Sequence, residues 1–342
     1  MKQWEKGEIE IGGSAKVLAQ MPVIISASRS TDIPAFYADW FFERFDKGYV
    51  RWTNPFSGKD LHVSFAKTRM IVFWSKNPRK ILPYLKELDE RRVNYYFQFT
   101  LNDYDDERLE PGVPSLEERI DTFKALSDLI GPGRVNWRFD PLILTDKISL
   151  TRLIDKVGSL GDKVACYTKR MVFSFADIAS YARVSGNLKK AGINAIEWTP
   201  EAMLQMAKAI SNLNSTWRLK VGTCAEKIDI PDEFGIRHNR CIDDRQMVEE
   251  FSSDEVLMKW IGARFIPGDL YDRTDRWEPS EHKNKDSGQR LGCGCIMSKD
   301  IGEYNTCPHL CHYCYANTSN ESALRNWQCH CKNPGADTIT GR

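Results

Sequence analysis

The residues best suited to chemistry are cysteines, and most of the ten fall at or after Cys241. Near the end of the chain, CPHLCHYCYAN sets Cys307, Cys311 and Cys314 in a CxxxCxxC spacing, with Tyr313 directly before the third thiol. Three thiolates on so short a loop can hold three corners of an iron–sulfur cube and leave the fourth iron open to a ligand. Two to four residues between cysteines is also the spacing of zinc sites, but a structural zinc ion is closed by four ligands. The loop supplies three, so it reads as a four-iron four-sulfur site. A tail fastened by zinc is the competing reading.

Four further thiols are scattered in sequence: Cys224 in TCAE, Cys241 in HNRCID, and Cys293 and Cys295 as a CxC. Together they could form a second metal site, either an auxiliary iron–sulfur cluster or a structural zinc, or no site at all. Cys224 has a competing role as a hydrogen-atom donor to a radical. His309, His312 and His330 stand among the cysteines and could ligate a metal or tune it through hydrogen bonds. Cys329 and Cys331, flanking His330, are further possible ligands or parts of a flexible tail.

Distant thiols need a scaffold to bring them together. The 342 residues can bury one sizeable core, and an α/β barrel of about 250 residues with added segments is a common use of such a length. The 48 basic and 47 acidic residues leave a net charge of +1, so no global field selects nucleic acid or a lipid surface. The N-terminal twenty residues hold no secretory apolar run, and no stretch approaches the ~20 apolar residues of a membrane span. A soluble, cytoplasmic protein with no membrane partner is expected. In a reducing compartment its cysteines serve metals or redox chemistry rather than disulfides. The chain has no GxxxxGKS/T, HExxH or GxSxG, which argues against phosphate-loop, metalloprotease and hydrolase-elbow chemistry.

Strand and helix signals alternate. VIISASR (23–29) is β-rich, and Pro34 opens a helical pattern stopped by Gly48. YVRWTNPF and LHVSF suggest a hairpin, IVFWSKNP is a strand, and a helix follows at 79–90. YYFQFTL (95–101) precedes an acidic loop, NDYDDERLEPGVP, expected to be exposed, and Ser115 with Glu118 forms a capping box. VNWRFDPLI, RMVFSFAD and RLKVGTCAE are three more strands. Thr199 and Pro200 open a helix whose Met203, Met206, Ile210 and Leu213 stripe reads as core. Six strands alternating with helices predict an α/β fold, a full or partial (β/α) barrel over 1–265. A charged linker at 266–290 would lead to a cysteine-rich segment at 291–342 packing on the barrel mouth. Parallel strands end on one face, so Ser28, Arg29, Asp32, Lys76, Asn77, Gln98, Thr100, Arg138, Asp140, Asp177 and Glu226 are candidates there. Arg138 and Asp140, two apart on one strand, could instead form a buried ion pair.

ISASRSTDIP, IVFWSKNP, WRFDP, TCAEKID and above all GCGCIMSKDIGEYNTCPHLCHYCYAN resemble the domain of unknown function 1848 family. The cysteine string of that family resembles the motif of radical S-adenosylmethionine enzymes, here displaced to the end of the chain. The resemblance implies that the open iron chelates S-adenosylmethionine and that an electron donor such as flavodoxin or ferredoxin feeds the cluster. A 5′-deoxyadenosyl radical would follow. Arg29, Asn77, Gln98 and Tyr313 are then the expected cofactor contacts, with Arg29 facing the cofactor carboxylate or a structural salt bridge. Arg29, Arg138, Asp140 and Glu226 are the expected catalytic groups. YCYA (313–316) is similar to the cluster region of spore photoproduct lyase and its relatives, which brings in a nucleic-acid or nucleobase substrate. The substrate and the oligomeric state stay open. The alternative is a zinc-stabilised barrel acting as a binding module or as a non-radical enzyme.

Overall fold

Alternation of apolar side chains builds the centre of the molecule. The computed structural model describes residues 4–55, 57–268, 274–280, 284–286, 288–289 and 292–342; part of the expected 266–290 linker lies outside them. Eight strands form one sheet: β1 (Ile24–Ala27), β2 (Met70–Ser75), β3 (Asn94–Thr100), β4 (Val135–Leu142), β5 (Arg170–Phe175), β6 (Lys220–Thr223), β7 (Ile236–His238) and β8 (Lys299–Asp300). Their order is β7-β6-β5-β4-β3-β2-β1-β8, and every pairing is parallel. Seven strands therefore stand in the order in which the chain makes them, and the eighth returns to pair with the first. The sheet is open, with β7 and β8 at its edges, so the full barrel among the two expected forms is not made by the described residues.

The two-residue period of the strands sorts side chains between two cores. Ile25, Phe73, Phe97, Trp137 and Phe173 share one buried cluster with Phe41, Phe123, Val157 and Ile210, which come from the helices Ala38–Asp46, Leu116–Ile130, Leu150–Val164 and Pro200–Trp217. Their neighbours Ile24, Met70, Val72 and Tyr96 point the other way, onto Met247, Phe251, Leu257 and Ile261 of helices Asp244–Phe251 and Glu255–Ile261. Each such side chain is worth roughly 1.5–3 kcal/mol of burial. The helices start where capping residues predict, with Ser115 accepting from the Glu118 amide, Ser149 from Arg152 and Thr199 from Ala202. Met206 and Ile210 are core, as the stripe predicts.

Several elements differ from expectation. The segment 79–90 is a 3-10 turn, Pro78–Tyr84, before a short helix, Leu85–Glu90, because Pro83 has no amide to donate. The expected hairpin, Tyr49–Thr53 with Asp60–Ser64, is present and antiparallel, and an N-terminal hairpin, Lys6–Ile11 with Ala15–Gln20, extends its sheet. Cys329 and Cys331 lie in a helix, Asn320–Lys332, not in a flexible tail. Buried His330 stacks on Trp327 and meets the Tyr37 ring edge-on at 4.7 Å. Among the described residues no helix is long and apolar enough to cross a membrane.

Strand β8 is held by one carboxylate. Asp300 Oδ2 accepts from Ser26 Oγ (2.9 Å) and the Arg29 amide (2.8 Å), and Oδ1 from Ser28 Oγ (2.7 Å) and the Gly302 amide (3.0 Å). Gly302 is required by space, since a Cβ there would overlap the Ser28 side chain. Each oxygen takes one hydroxyl, which can turn, and one backbone N–H, which cannot. Asp300→Asn must therefore orphan an amide whichever way its side chain points, at a cost of about 1–3 kcal/mol, and Asp300→Ala costs more. Denaturant unfolding checks the energies, and hydrogen exchange should show faster amides over 301–316. Unchanged exchange there in both variants would contradict this role for Asp300.

Candidate functional site

Because β8 runs parallel to β1, the chain leaves it at the end of the sheet where the other strands also finish. The Cys307–Cys314 loop follows within a few residues and is tied to those strand ends. Tyr37 OH donates to Thr306 O (2.5 Å), Tyr315 OH to Arg29 O (3.0 Å), and Trp52 Nε1 to Gly302 O (2.9 Å). His309, 2% exposed, joins Asp32 Oδ2 (2.8 Å) to the Gly112 carbonyl (3.1 Å). Of the loop's thiols, Cys311 is buried and Cys307 and Cys314 are half-buried. Burial pushes all three thiols of the loop above their ordinary range, and neighbouring thiols add to this at Cys307 and Cys311.

The acidic loop expected to be exposed packs over this motif instead. The Gly112 amide donates to His309 O (2.9 Å) and the His312 amide to Leu109 O (3.0 Å). A Cβ at Gly112 would lie 2.6 Å from Pro308 O, so only glycine permits the approach. Its acids are paired: Asp105 with Arg119 (2.6 Å), Asp103 and Glu107 with Lys156 (3.3 and 3.2 Å). Glu110 is the innermost. Its carboxylate meets Lys76 (2.8 Å), Arg119 (3.4 Å), Asn102 (3.0 Å) and the Tyr313 hydroxyl, which also receives bonds from Lys76 (2.9 Å) and Asn102 (3.0 Å). The Tyr313 hydroxyl thus points into the protein and locks the loop from below. Charge and composition alone did not single out Asn102, Glu110, Arg119 or Asp300; the EPG turn at 110–112 was the available signal.

The other candidates gather around the second set of thiols. Cys224 Sγ lies 3.5 Å from Cys241 Sγ, while Cys295 Sγ accepts from the amides of Cys241 (3.2 Å) and Ile242 (3.4 Å). Arg138, 2% exposed, donates from Nη1 to Cys241 Sγ (3.2 Å) and to Gln98 Oε1 (3.2 Å), and Gln98 Nε2 donates to Cys241 O (2.7 Å). Arg138 also forms the anticipated ion pair with Asp140, whose other oxygen takes the Ser174 hydroxyl. Both Arg29 and Arg138 lie over the Trp74 ring, 5.2 and 5.1 Å from its centre. Arg29 Nη2 is buried without a hydrogen-bond partner. Burial opposes its charge, but Cys295, Asp300 and Cys241 outweigh that and move its pKa up. Glu226 accepts from the Phe175 amide (2.9 Å) and lines a cleft of about 590 Å³ with Lys227, Arg237, His238 and Cys293. The Asn77 amide donates to Ser75 Oγ (3.0 Å) at the end of β2. No group of three His, Cys, Asp or Glu side chains that could hold a single metal ion, as they stand, is found among the described residues.

The Glu110 network makes a pH-dependent prediction. Burial favours the protonated acid, but Lys76 and Arg119 prevail and hold its pKa down from 4.5 to about 2. That displacement corresponds to about 3 kcal/mol of stability. Because the folded-state value is depressed, the contribution is complete above pH 4.5 and is lost as pH falls toward 2. Glu110→Gln is expected to lose at least about 3 kcal/mol at pH 7, with the gap to the parent narrowing only below the ordinary glutamate range. Denaturant titrations of both proteins at several pH values check this.

No curated protein and no solved structure matches the chain. One family model does, over residues 24–316, from the first residue of β1 to two residues past Cys314, so that it spans both sets of thiols. The chain belongs to the family described as Domain of unknown function (DUF1848).

Proposed function

We propose that this protein is a radical S-adenosylmethionine enzyme in which Cys307, Cys311 and Cys314 hold a four-iron four-sulfur cluster. The observation that carries the reading is a three-thiol loop, held by the His309–Asp32 pair and the Tyr313 hydroxyl, over the ends of a parallel sheet wound in sequence order. The donor set fits the group: three soft sulfur ligands on one loop, Cys311 buried and Cys307 and Cys314 half-buried. The open sheet is read as a partial barrel, whose strand ends are the usual place for such a site.

When bound, the cluster and S-adenosylmethionine would supply a 5′-deoxyadenosyl radical for hydrogen abstraction, and an electron donor such as flavodoxin or ferredoxin would reduce it. The chain's own residues bind and shield. Arg29, with a buried guanidinium nitrogen lacking a partner, is the group suited to a cofactor carboxylate. The Asp32–His309 pair anchors the loop between its first two cysteines, and the Tyr313 hydroxyl, held by Lys76, Asn102 and Glu110, anchors it beside the third. Buried polar groups with all partners in place resist displacement, so the loop stays put while a substrate comes and goes.

The test is anaerobic reconstitution followed by reduction with S-adenosylmethionine present. The parent protein should bind about four irons at this loop and release 5′-deoxyadenosine, and Cys311→Ala should release none. Continued cleavage by Cys311→Ala would refute the assignment. Zinc without iron at Cys307, Cys311 and Cys314, and no cleavage, would favour the zinc-fastened binding module.

A further inference from the structure

We propose that Cys224, Cys241, Cys293 and Cys295 hold one tetrahedral zinc ion, apart from the Cys307 loop, which staples the C-terminal segment across the mouth of the open sheet. Three stretches of chain meet at these thiols. Cys224 directly follows β6, Cys241 lies just beyond β7, and the CxC precedes β8. β7 and β8 are the two edges of the sheet, and their approach is sealed by a backbone bond from the Ile296 amide to Ile242 O (3.1 Å). An ion bound there would do for the mouth what strand pairing does for a closed barrel.

The surroundings are those of thiolates. All four cysteines are free, and the 3.5 Å between Cys224 and Cys241 sulfurs is far beyond a disulfide bond of about 2.05 Å. Cys295 Sγ receives two backbone N–H groups, and Cys241 Sγ receives Arg138 Nη1 and Asn239 Nδ2 (3.5 Å). A neutral thiol is a weak acceptor and would leave such donors poorly used. Four thiolates around a divalent ion carry a net charge of about −2, opposite the buried guanidinium of Arg138 and that of Arg29. Asp140 already pairs with the first of these and has no ion pair with the second.

Spacing selects a single ion over a cube. Two sulfurs at Zn–S distances of 2.3 Å in a tetrahedron stand about 3.8 Å apart, close to the 3.5 Å found, whereas thiolates on separate irons of a cube stand further apart. Cys224 and Cys241 already stand at this spacing, and Cys295 Sγ lies against the Cys241 amide, so the CxC side chains are the ones that would turn inward. Cys293, on the wall of the basic cleft, is the one that would complete the tetrahedron. Cys224 is then a ligand and not a hydrogen-atom donor.

The experiment uses the full chain with Cys307, Cys311 and Cys314 all replaced by Ala, purified without added metal. It should contain about one zinc per chain and no iron, and its zinc absorption edge should fit four sulfurs at about 2.3 Å. Adding Cys241→Ser should lower the zinc content at least about tenfold. Because that change could unfold the chain, Cys293→Ser, at the cleft wall, is the second variant: cobalt(II) replacement should show tetrahedral bands in the parent and weaker sulfur-to-cobalt absorption in the variant. Iron with sulfide in the triple variant would overturn zinc in favour of an auxiliary cluster, and no bound metal would overturn the site. Neither result depends on whether S-adenosylmethionine is cleaved at the other loop.

Discussion

The return of the chain to its first strand, and with it the place of the Cys307 loop, depends on the carboxylate of Asp300. It ties a two-residue strand at the end of the chain to the first strand of the sheet, across some 270 residues. Closing so long a loop costs little more than closing a shorter one, because the entropy grows only with the logarithm of length. Register is the harder problem. A two-residue strand has few ladder bonds to choose its partner, and a slip by one would turn every side chain to the other face. Four donors converging on two oxygens supply the specificity that the short ladder lacks, and Gly302 lets the backbone pass over Ser28 at the only height that satisfies them.

A second constraint lies beneath the Cys307 loop. Lys76, Glu110 and Arg119 are charges taken out of water, with side-chain exposures of 15%, 2% and 0%, and an apolar cluster of similar volume would serve stability at least as well. What ions provide here is direction. The Glu110 carboxylate accepts from an ammonium, a guanidinium, an amide and a phenol that belong to different parts of the chain. Only one arrangement of strand end, acidic loop and cysteine loop satisfies all four. Loop residues with such support are positioned as firmly as residues on strands.

Much of the scaffold is legible in the sequence, because β1 to β6 alternate or run apolar and the helices between them carry caps and stripes. The six strands and the hairpin at 49–64 lie where periodicity puts them. β7 and β8, of three and two residues, are too short to show a period, and they are defined only by what they pair with. The acidic loop misled for a related reason: a run of Asp and Glu looks solvated until Lys156 and Lys76, far away in sequence, and Arg119, on the next helix, are seen to face it. Cys329 and Cys331 looked like tail residues because the helix that carries them is mostly polar, with Ala323 and His330 as its buried positions. The ion pair of Arg138 with Asp140, by contrast, follows from strand period alone. Gln98 emerged as a strand-end residue, but its partner, the Cys241 carbonyl, could not be read from spacing.

Arg29 links the two sets of thiols. Its amide binds Asp300 and its carbonyl takes the Tyr315 hydroxyl, so its backbone belongs to the Cys307 loop. Its side chain lies over Trp74 beside Arg138, in the field of Cys295 and Cys241. A change at either thiol set is therefore felt at the same residue through a different part of it, by hydrogen bonds on one side and by charge on the other. Because the side-chain coupling is electrostatic and dry, it is weakly screened, and it acts without movement of the backbone. The strand end at residues 28–32 is thus the common support of both sets of thiols, and it is to this strand that the chain returns through β8.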